Sequence, residues 1–273
     1  MDEAKPIVTV IMSVRNGEQW LREAIDSIIH QTLTEWEMWI VDDASTDSTW
    51  QILESYIAEK PAFNISIIRQ DPPWGLTKNL NTMLPFARGE FIARMDADDI
   101  SAPERFAKQV TYLRQSPSVD AVASFITMIN EKGETTGIWP DDHKACDYKA
   151  IRAILPGTNC IAHPTVMMRA SLLKKYQYNE SQIHMEDWDL WLRLLNDGRI
   201  IEKINEPLLL YRVHSNSVTS TYLKKSAFVK KNEFYKLFLS QNKAGVIISR
   251  IRRNYQINRL KLFLSRIKRR FTS

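Results

Sequence analysis

Three carboxylates fall within four residues at Asp96-Ala97-Asp98-Asp99, directly after the apolar run Phe91 to Met95. That run reads as a buried strand, and a buried strand tolerates unpaired carboxylates badly. The pattern fits a strand end that opens into a cleft, where a cation neutralises the acids. Asp96 and Asp98, two residues apart, can reach one ion, and an all-oxygen ligand set suits Mg²⁺ or Mn²⁺. A lone Asp-x-Asp is more often a solvated turn. A calcium loop of the EF-hand kind is a poor fit, because its turn glycine and closing glutamate are missing. The next residues, Ser101-Ala102-Pro103-Glu104, have the S-x-x-E form of a capping box with proline in the first turn. Strand, acidic turn and capped helix together predict the α/β arrangement that places ligands at the carboxyl ends of strands.

Two more acidic pairs stand at element ends. Asp42-Asp43 closes the apolar run Met38 to Val41, where an acid can accept a hydrogen bond from a base or ribose at the sheet edge. Capping of the following helix suits Asp47 and Ser48 better than this pair. Glu186-Asp187 opens an amphipathic helix, where the dipole favours ionised carboxylates and simple charge complementarity would suffice. His163 sits beside apolar residues, a setting in which a lone histidine is usually structural, whereas His214 follows a predicted strand and precedes a Ser- and Asn-rich loop.

The elements that must position these groups alternate. Strands are predicted at 7–12, 38–41, 65–68 and 91–95, and helices at 21–29, after Asp47, and at 75–87. This rhythm over the first 115 or so residues predicts a mostly parallel central sheet with right-handed crossovers and flanking helices, Rossmann-like in character. Beyond it come a strand at 119–130, a turn at 131–134, a helix at 144–155, and strands at 165–169 and 207–212 around the 186–195 helix. The predicted organisation is 1–115 as one half and 116–220 as the other of a single domain, followed by a helical tail at 221–273.

At 273 residues, 44% hydrophobic and with eight Trp and ten Phe, the chain can bury a sizeable core and is not disordered in composition. Met-Asp-Glu-Ala-Lys-Pro lacks the apolar stretch of a signal peptide, and no run reaches the roughly 18 apolar residues of a spanning helix. Cys146 and Cys160 have no metal-type spacing, so a reducing cytoplasmic setting is expected. The net charge of +5 hides an asymmetry: from Lys224 onward 15 Lys and Arg face the single Glu233, leaving 22 bases and 31 acids before it. In that tail Ile251, Leu260, Phe263 and Leu264 interleave with Arg253, Arg259 and Lys261. Basic amphipathic helices lie on anionic membrane surfaces, whereas no nucleic-acid module is visible. The alternative is a helix packed on the acidic body.

Six segments in order resemble glycosyltransferase family 2: Val8-Thr9-Val10-Ile11-Met12-Ser13-Val14-Arg15-Asn16-Gly17-Glu18, Val41 to Asp47, Ala93 to Asp99, His163 to Arg169, Glu186 to Arg193, and Tyr211 to Thr219. The resemblance implies the GT-A fold and an inverting enzyme with a nucleotide-sugar donor, expected to be a UDP-sugar. It also implies a cell-surface glycan or lipid-linked acceptor, as in lipopolysaccharide or capsule synthesis, and a place at the inner face of the cell membrane. Under it Asp96-Ala97-Asp98 becomes the D-x-D motif that bridges Mn²⁺ or Mg²⁺ to the donor diphosphate, with Asp99 behind it. Two phosphates and two carboxylates repel unless a cation lies among them, and that cation also stabilises the departing nucleotide. The resemblance further assigns Asp187 as the general base and Asp43 as a nucleobase contact. Ser13 and Arg15 would lie at the donor, with Arg15 standing where the family often has an aromatic. A guanidinium can still stack on a ring. Lys78 would be a donor contact or a solvated helix lysine, and His214 a further metal ligand. The resemblance leaves two rival readings: a nucleotidyltransferase acting on sugar phosphates, and a non-catalytic membrane- or nucleic-acid-binding protein with a degenerate transferase body. The first should carry a glycine- and base-rich loop after the first strand, which Ser13 to Glu18 does not.

Overall fold

The computed structural model describes residues 5–59, 63–215 and 227–271, with backbone alone for 227, 228 and 265–271. The last residues of the Tyr211 to Thr219 segment and the expected boundary near 220 lie outside the described residues. Strand β1 (Val8–Val14) is apolar at all but Thr9 and Ser13 and is covered on both faces, as a central strand between helical layers must be. The elements that follow are α1 (Leu21–Ile29), β2 (Trp36–Asp42), α2 (Thr49–Glu59), β3 (Ile65–Arg69), α3 (Leu76–Met83) and β4 (Phe91–Arg94). A proline at 85 converts the end of the expected 75–87 helix into a 3₁₀ turn at Leu84–Phe86.

After β4 come β5 (Ile100–Ser101), α4 (Arg105–Gln115), β6 (Ala121–Ile129), β7 (Thr135–Ile138), α5 (Tyr148–Ile154), β8 (Met167–Arg169), α6 (Ala170–Tyr176), α7 (Glu186–Asn196) and β9 (Ile201–Arg212). Among the described residues these strands form one sheet in the order β3-β2-β1-β4-β8-β6-β9-β5, with β7 paired to β6. Strands β3, β2, β1 and β4 are mutually parallel. The second half is mixed: β8 runs antiparallel to β4 and β6, β6 and β9 are parallel, and β5 is antiparallel to β9. The chain leaves β1 towards β2 and β3, then returns to β1's other side as β4. This places a topological switch point between β1 and β4, the position where open α/β sheets take ligands.

Side chains alternate across the sheet into two cores. Val8, Val10 and Met12 face α1, α2 and α4, whereas Ile11, Val41 and Ile92 face α3, α5, α7 and the two C-terminal helices. Those helices, α8 (Ala227–Gln241) and α9 (Ile248–Phe271), are not a detached appendage. Phe234 stacks on Trp188 of α7 with centroids 4.5 Å apart, and the Tyr235 hydroxyl donates to the Pro156 carbonyl at 2.8 Å. Phe238, Ile247, Ile248 and Ile251 are buried in the same cluster. Among the described residues no helix is long and apolar enough to cross a membrane.

Three local expectations are corrected. The capping box does not form: Ser101 belongs to β5, and its hydroxyl accepts from Gln31 Nε2 at 3.1 Å. Helix α4 begins at Arg105 instead, its open Phe106 N–H satisfied by Gln31 Oε1 at 3.0 Å, so a side chain 75 residues away supplies the cap. Helix α5 starts at Tyr148 rather than 144, because Asp147 Oδ1 accepts from Ala150 N at 2.8 Å. The expected 207–212 strand extends back to Ile201; its polar half, with Lys203 buried against Asp142, had hidden the period.

Candidate active site

Ser13, Arg15, Asp43, Asp96, Asp98, Asp99 and His214 stand on loops or strand ends at the carboxyl edge of the parallel strands or on the segment after β9, whereas Glu186 and Asp187 open α7, Lys78 lies on α3 and His163 in a 3₁₀ turn. Strand β4 delivers the acids. Asp96, Asp98 and Asp99 each offer an oxygen, and the three oxygens lie within 4.8 Å of one another. His214 comes in from beyond β9, its Nε2 2.9 Å from Asp98 Oδ2 and its ring 4.4 Å from Trp20. Arg212, on the last turn of β9, ties the two segments together. Its backbone N–H donates to Asp99 Oδ1 at 2.8 Å, and its guanidinium donates to the Asp98 carbonyl at 2.8 Å and to Glu23 Oε2 at 2.6 Å. Asp99 is 1% exposed, and burial together with the neighbouring Asp98 and Asp96 pushes its carboxyl well above the usual range.

The donor set fits a hard divalent cation. Three carboxylates converge, an imidazole hydrogen-bonds one of them, and the buried Asp99 Oδ2 and His214 Nδ1 have no hydrogen-bond partner among the described residues. Arg94 supplies part of the counter-charge. It is 3% exposed at the end of β4, and its guanidinium forms an ion pair with Asp96. Sequence reasoning passed over Arg94, although a charged residue inside a run read as a buried strand is itself a signal.

Asp187 stands in the first turn of α7. Its Oδ2 accepts from Asn159 Nδ2 at 2.8 Å and its Oδ1 from Trp188 N at 2.6 Å. Burial raises its carboxyl above the ordinary value, against those two hydrogen bonds and the charge of Arg94. Glu186 beside it is pushed up to about 8, first by burial and then by Asp187. Arg94 acts electrostatically on both, and Asp96 on Glu186, which puts the metal-type cluster and the α7 acids in one field. Asn159 carried no signal in its residue type or spacing. His163 lies beneath, buried, its Nε2 2.8 Å from the Tyr178 hydroxyl and its ring packed near Trp191; burial lowers its pKa well below the ordinary value, so it is neutral.

The other end of the cleft is built by the loops after β1, β2 and β3. Asp43 is 5% exposed, and its carboxylate accepts from Trp74 N at 2.7 Å and Gly75 N at 3.1 Å. A carboxylate has lone pairs to spare, so this pairing fixes the group without exhausting it. Gly75 takes φ 84, a left-handed conformation that suits glycine. Ser13 Oγ accepts from Asn79 Nδ2 at 3.1 Å. Ala97 packs beside Gly17, where an added Cβ would come within 2.5 Å of Val14. Arg15 and Lys78 are exposed, and the Lys78 ammonium sits 3.9 Å over the Trp74 ring. Neither hydrogen-bonds the acidic cluster among the described residues.

Comparison with known proteins bears on this geometry. The model of the family described as Glycosyl transferase family 2 matches residues 9–177. The putative glycosyltransferase EpsE of Bacillus subtilis is 35% identical over 78% of this chain and 74% of its own. The O-antigen biosynthesis glycosyltransferase WbnJ of Escherichia coli is 32% identical over 80% and 84%. Among solved structures, S. aureus TarS with UDP-GlcNAc aligns with a TM-score of 0.68 at 21% identity, over 91% of this chain and 70% of that one. The mannosyltransferase PcManGT of Pyrobaculum calidifontis, in complex with GDP-Man and Mn²⁺, aligns with a TM-score of 0.68 at 20% identity, over 92% and 69%. The sheet order, the acids after β4 and these matches agree: the chain belongs to glycosyl transferase family 2 and has the GT-A fold.

Proposed function

We propose that this glycosyltransferase is an inverting hexosyltransferase that moves a hexose or N-acetylhexosamine from a UDP-sugar to a cell-surface glycan or lipid-linked acceptor, with Mn²⁺ or Mg²⁺ bound. One observation carries the reading: Arg94 pairs with Asp96 and also acts electrostatically on Asp187, so a cation site and a base share one field. Residues 1–115 form the donor half and 116–220 the acceptor half, with 221–273 as the tail. Family membership sets aside the nucleotidyltransferase reading, and intact Asp96, Asp98 and Asp187 argue against a degenerate body.

Asp96 and Asp98, with His214, would hold the cation, and Asp99 would hold the segment that carries His214. The cation supplies Lewis-acid stabilisation of the departing diphosphate. Asp43 receives a hydrogen bond from the nucleobase; Ser13, Arg15, Ala97 and Lys78 line the donor's path. Asp187, oriented by Asn159 and Trp188 N–H, takes the proton from the acceptor hydroxyl as that oxygen attacks the anomeric carbon. Attack from the face opposite the leaving group, in one displacement, inverts the configuration. The names of relatives in O-antigen and teichuronic acid biosynthesis support a surface-glycan acceptor, and our reading places the enzyme at the cytoplasmic face of the membrane. The fold accommodates UDP-GlcNAc in TarS and GDP-Man in PcManGT, so the base is a matter for experiment.

Thermal unfolding against UDP, GDP, dTDP and CMP, each with and without Mn²⁺, tests the donor class. A ligand at 100 times its Kd adds about 2.7 kcal/mol to the folded state. The expected result is stabilisation by UDP only with metal, lost in Asp98→Ala. Stabilisation by GDP alone would reassign the donor, and no response to any nucleotide would overturn the reading.

A further inference from the structure

Helix α9 carries two apolar faces. The first, Ile248 and Ile251 with the half-buried Tyr255, is packed into the body, and the buried Asn258 lies on the same side. The second, Ile257, Leu260, Phe263 and Leu264, is 43%, 57%, 60% and 54% exposed. At ~100° per residue the second set lies roughly 180° around the helix from the first. Such a face is not needed to hold the helix down, because the opposite one already does so. Isolated exposed apolar residues are ordinary; four within eight residues along one side mark an interaction surface.

The flanks say what covers it. Arg252, Arg253, Arg259 and Lys261 are exposed on the same stretch, and no carboxylate follows Glu233 in the chain. A second copy of the helix would bring the same cations against these. Nucleic acid would pair with the arginines but leave the leucines and phenylalanine in water. An anionic lipid surface satisfies both, taking the apolar side chains below the headgroups and the cations among them. We propose that α9 docks the enzyme on an anionic bilayer through Ile257, Leu260, Phe263 and Leu264. The assignment draws on the lipid-linked acceptor for its purpose alone and stands or falls separately from the transferase chemistry.

The docking face is coupled firmly to the chemistry. The inner face of α9 and the stacked pair Phe234–Trp188 join the tail to α7, one residue from Asp187. Arg250 also donates to the Arg152 carbonyl at 2.9 Å and Asn254 to the Pro156 carbonyl at 2.9 Å, fastening α9 near the loop that carries Asn159. Bound by its outer face, the enzyme would hold its base at a set orientation to the membrane, where an acceptor anchored by a lipid is presented.

The full chain is tested by flotation with phosphatidylcholine vesicles and with vesicles containing 30% phosphatidylglycerol. The wild type is expected to float with the second and not the first. L260S/F263S/L264S should lower the floated fraction at least tenfold, and R253Q, R259Q or K261Q about fivefold each at low salt. All these positions are exposed, so the melting temperature and the nucleotide-dependent thermal shift should stay as in the wild type. Those two readouts report the transferase reading independently of flotation. Equal flotation of the triple variant and wild type overturns the proposal. So does a wild type that fails to float but sediments as a dimer that the triple variant abolishes, which would make the face a protein interface.

Discussion

Asn159 donates from Nδ2 to Asp187 Oδ2 at 2.8 Å, joining a loop after α5 to the first turn of α7 across 28 residues. The backbone N–H of Trp188 takes the other oxygen, so both oxygens of the proposed base are oriented before any acceptor arrives. A base fixed in this way loses little entropy when the acceptor hydroxyl docks.

Asn159→Ala should therefore lower kcat about tenfold while the donor KM stays within about twofold, because one hydrogen bond to a charged group contributes roughly 1.5 kcal/mol. Asn159→Asp should be worse, placing another acid beside Glu186 and Asp187. Steady-state kinetics with varied donor reads the split. A rise in donor KM with unchanged kcat would assign Asn159 to donor binding instead.

The raised Glu186 gives a pH signature. Burial and Asp187 move its folded pKa to about 8 from the ordinary 4.5. Between those values the folded state binds the proton that the unfolded chain has released, so stability falls as pH rises through that window. Glu186→Gln should flatten the melting temperature against pH from 5 to 9 and raise it at pH 8 relative to wild type. Asp187, raised by its own burial, adds a slope of the same sign. A wild-type melting temperature that climbs from pH 5 to 8 would contradict this account.

Much of the donor side was legible because parallel strands buried on both faces read as unbroken apolar runs, and β1, β2 and β4 end abruptly in polar residues. Asp43, Asp96 and Asp98 stand where those runs stop. The acceptor side was harder. Strand β9 buries Lys203 by pairing it with Asp142 and with the Cys160 carbonyl, so a real strand looks polar. Ser101 and Glu104 matched a capping pattern, but Gln31, just past α1 on the same face of the sheet, filled the cap, and no local rule contains a partner 75 residues away. Asn159 and Arg212 acquire their roles only through long-range bonds. The tail's charge drew attention to its outer surface, whereas Phe234 and Tyr235, which fix it to α7, carried no periodic signal.

The segment after β9 predicts a metal effect. His214 Nε2 lies 2.9 Å from Asp98 Oδ2 and its ring leans on Trp20, so the imidazole is held at the acids by packing as well as by charge. His214→Ala should weaken Mn²⁺ binding about 10- to 100-fold, and with it the metal-dependent part of nucleotide binding. Trp20→Ala should give a smaller loss of the same kind. Calorimetric titration of Mn²⁺ into the protein with nucleotide present measures both. Unchanged Mn²⁺ affinity in His214→Ala would remove the imidazole from the ligand set.

Arg94 predicts the reverse behaviour towards metal. Its guanidinium is 3% exposed, paired with Asp96 and kept charged by Asp96 and Asp99 against the effect of burial. Removing one partner of a fully buried ion pair costs about 3–5 kcal/mol; here the Asp96 left behind is 30% exposed, so the loss is smaller. Arg94→Met should therefore lower the melting temperature in EDTA. Mn²⁺ neutralises the same acids, so it should restore more stability to Arg94→Met than it adds to wild type. Arg94→Lys keeps the charge without the planar fork and should fall between the two. Melting curves of the three proteins at matched Mn²⁺ concentrations decide the matter. Equal Mn²⁺ shifts in wild type and Arg94→Met would mean that the guanidinium and the metal do not share Asp96, and the site would then have to be rebuilt around Asp98, Asp99 and His214.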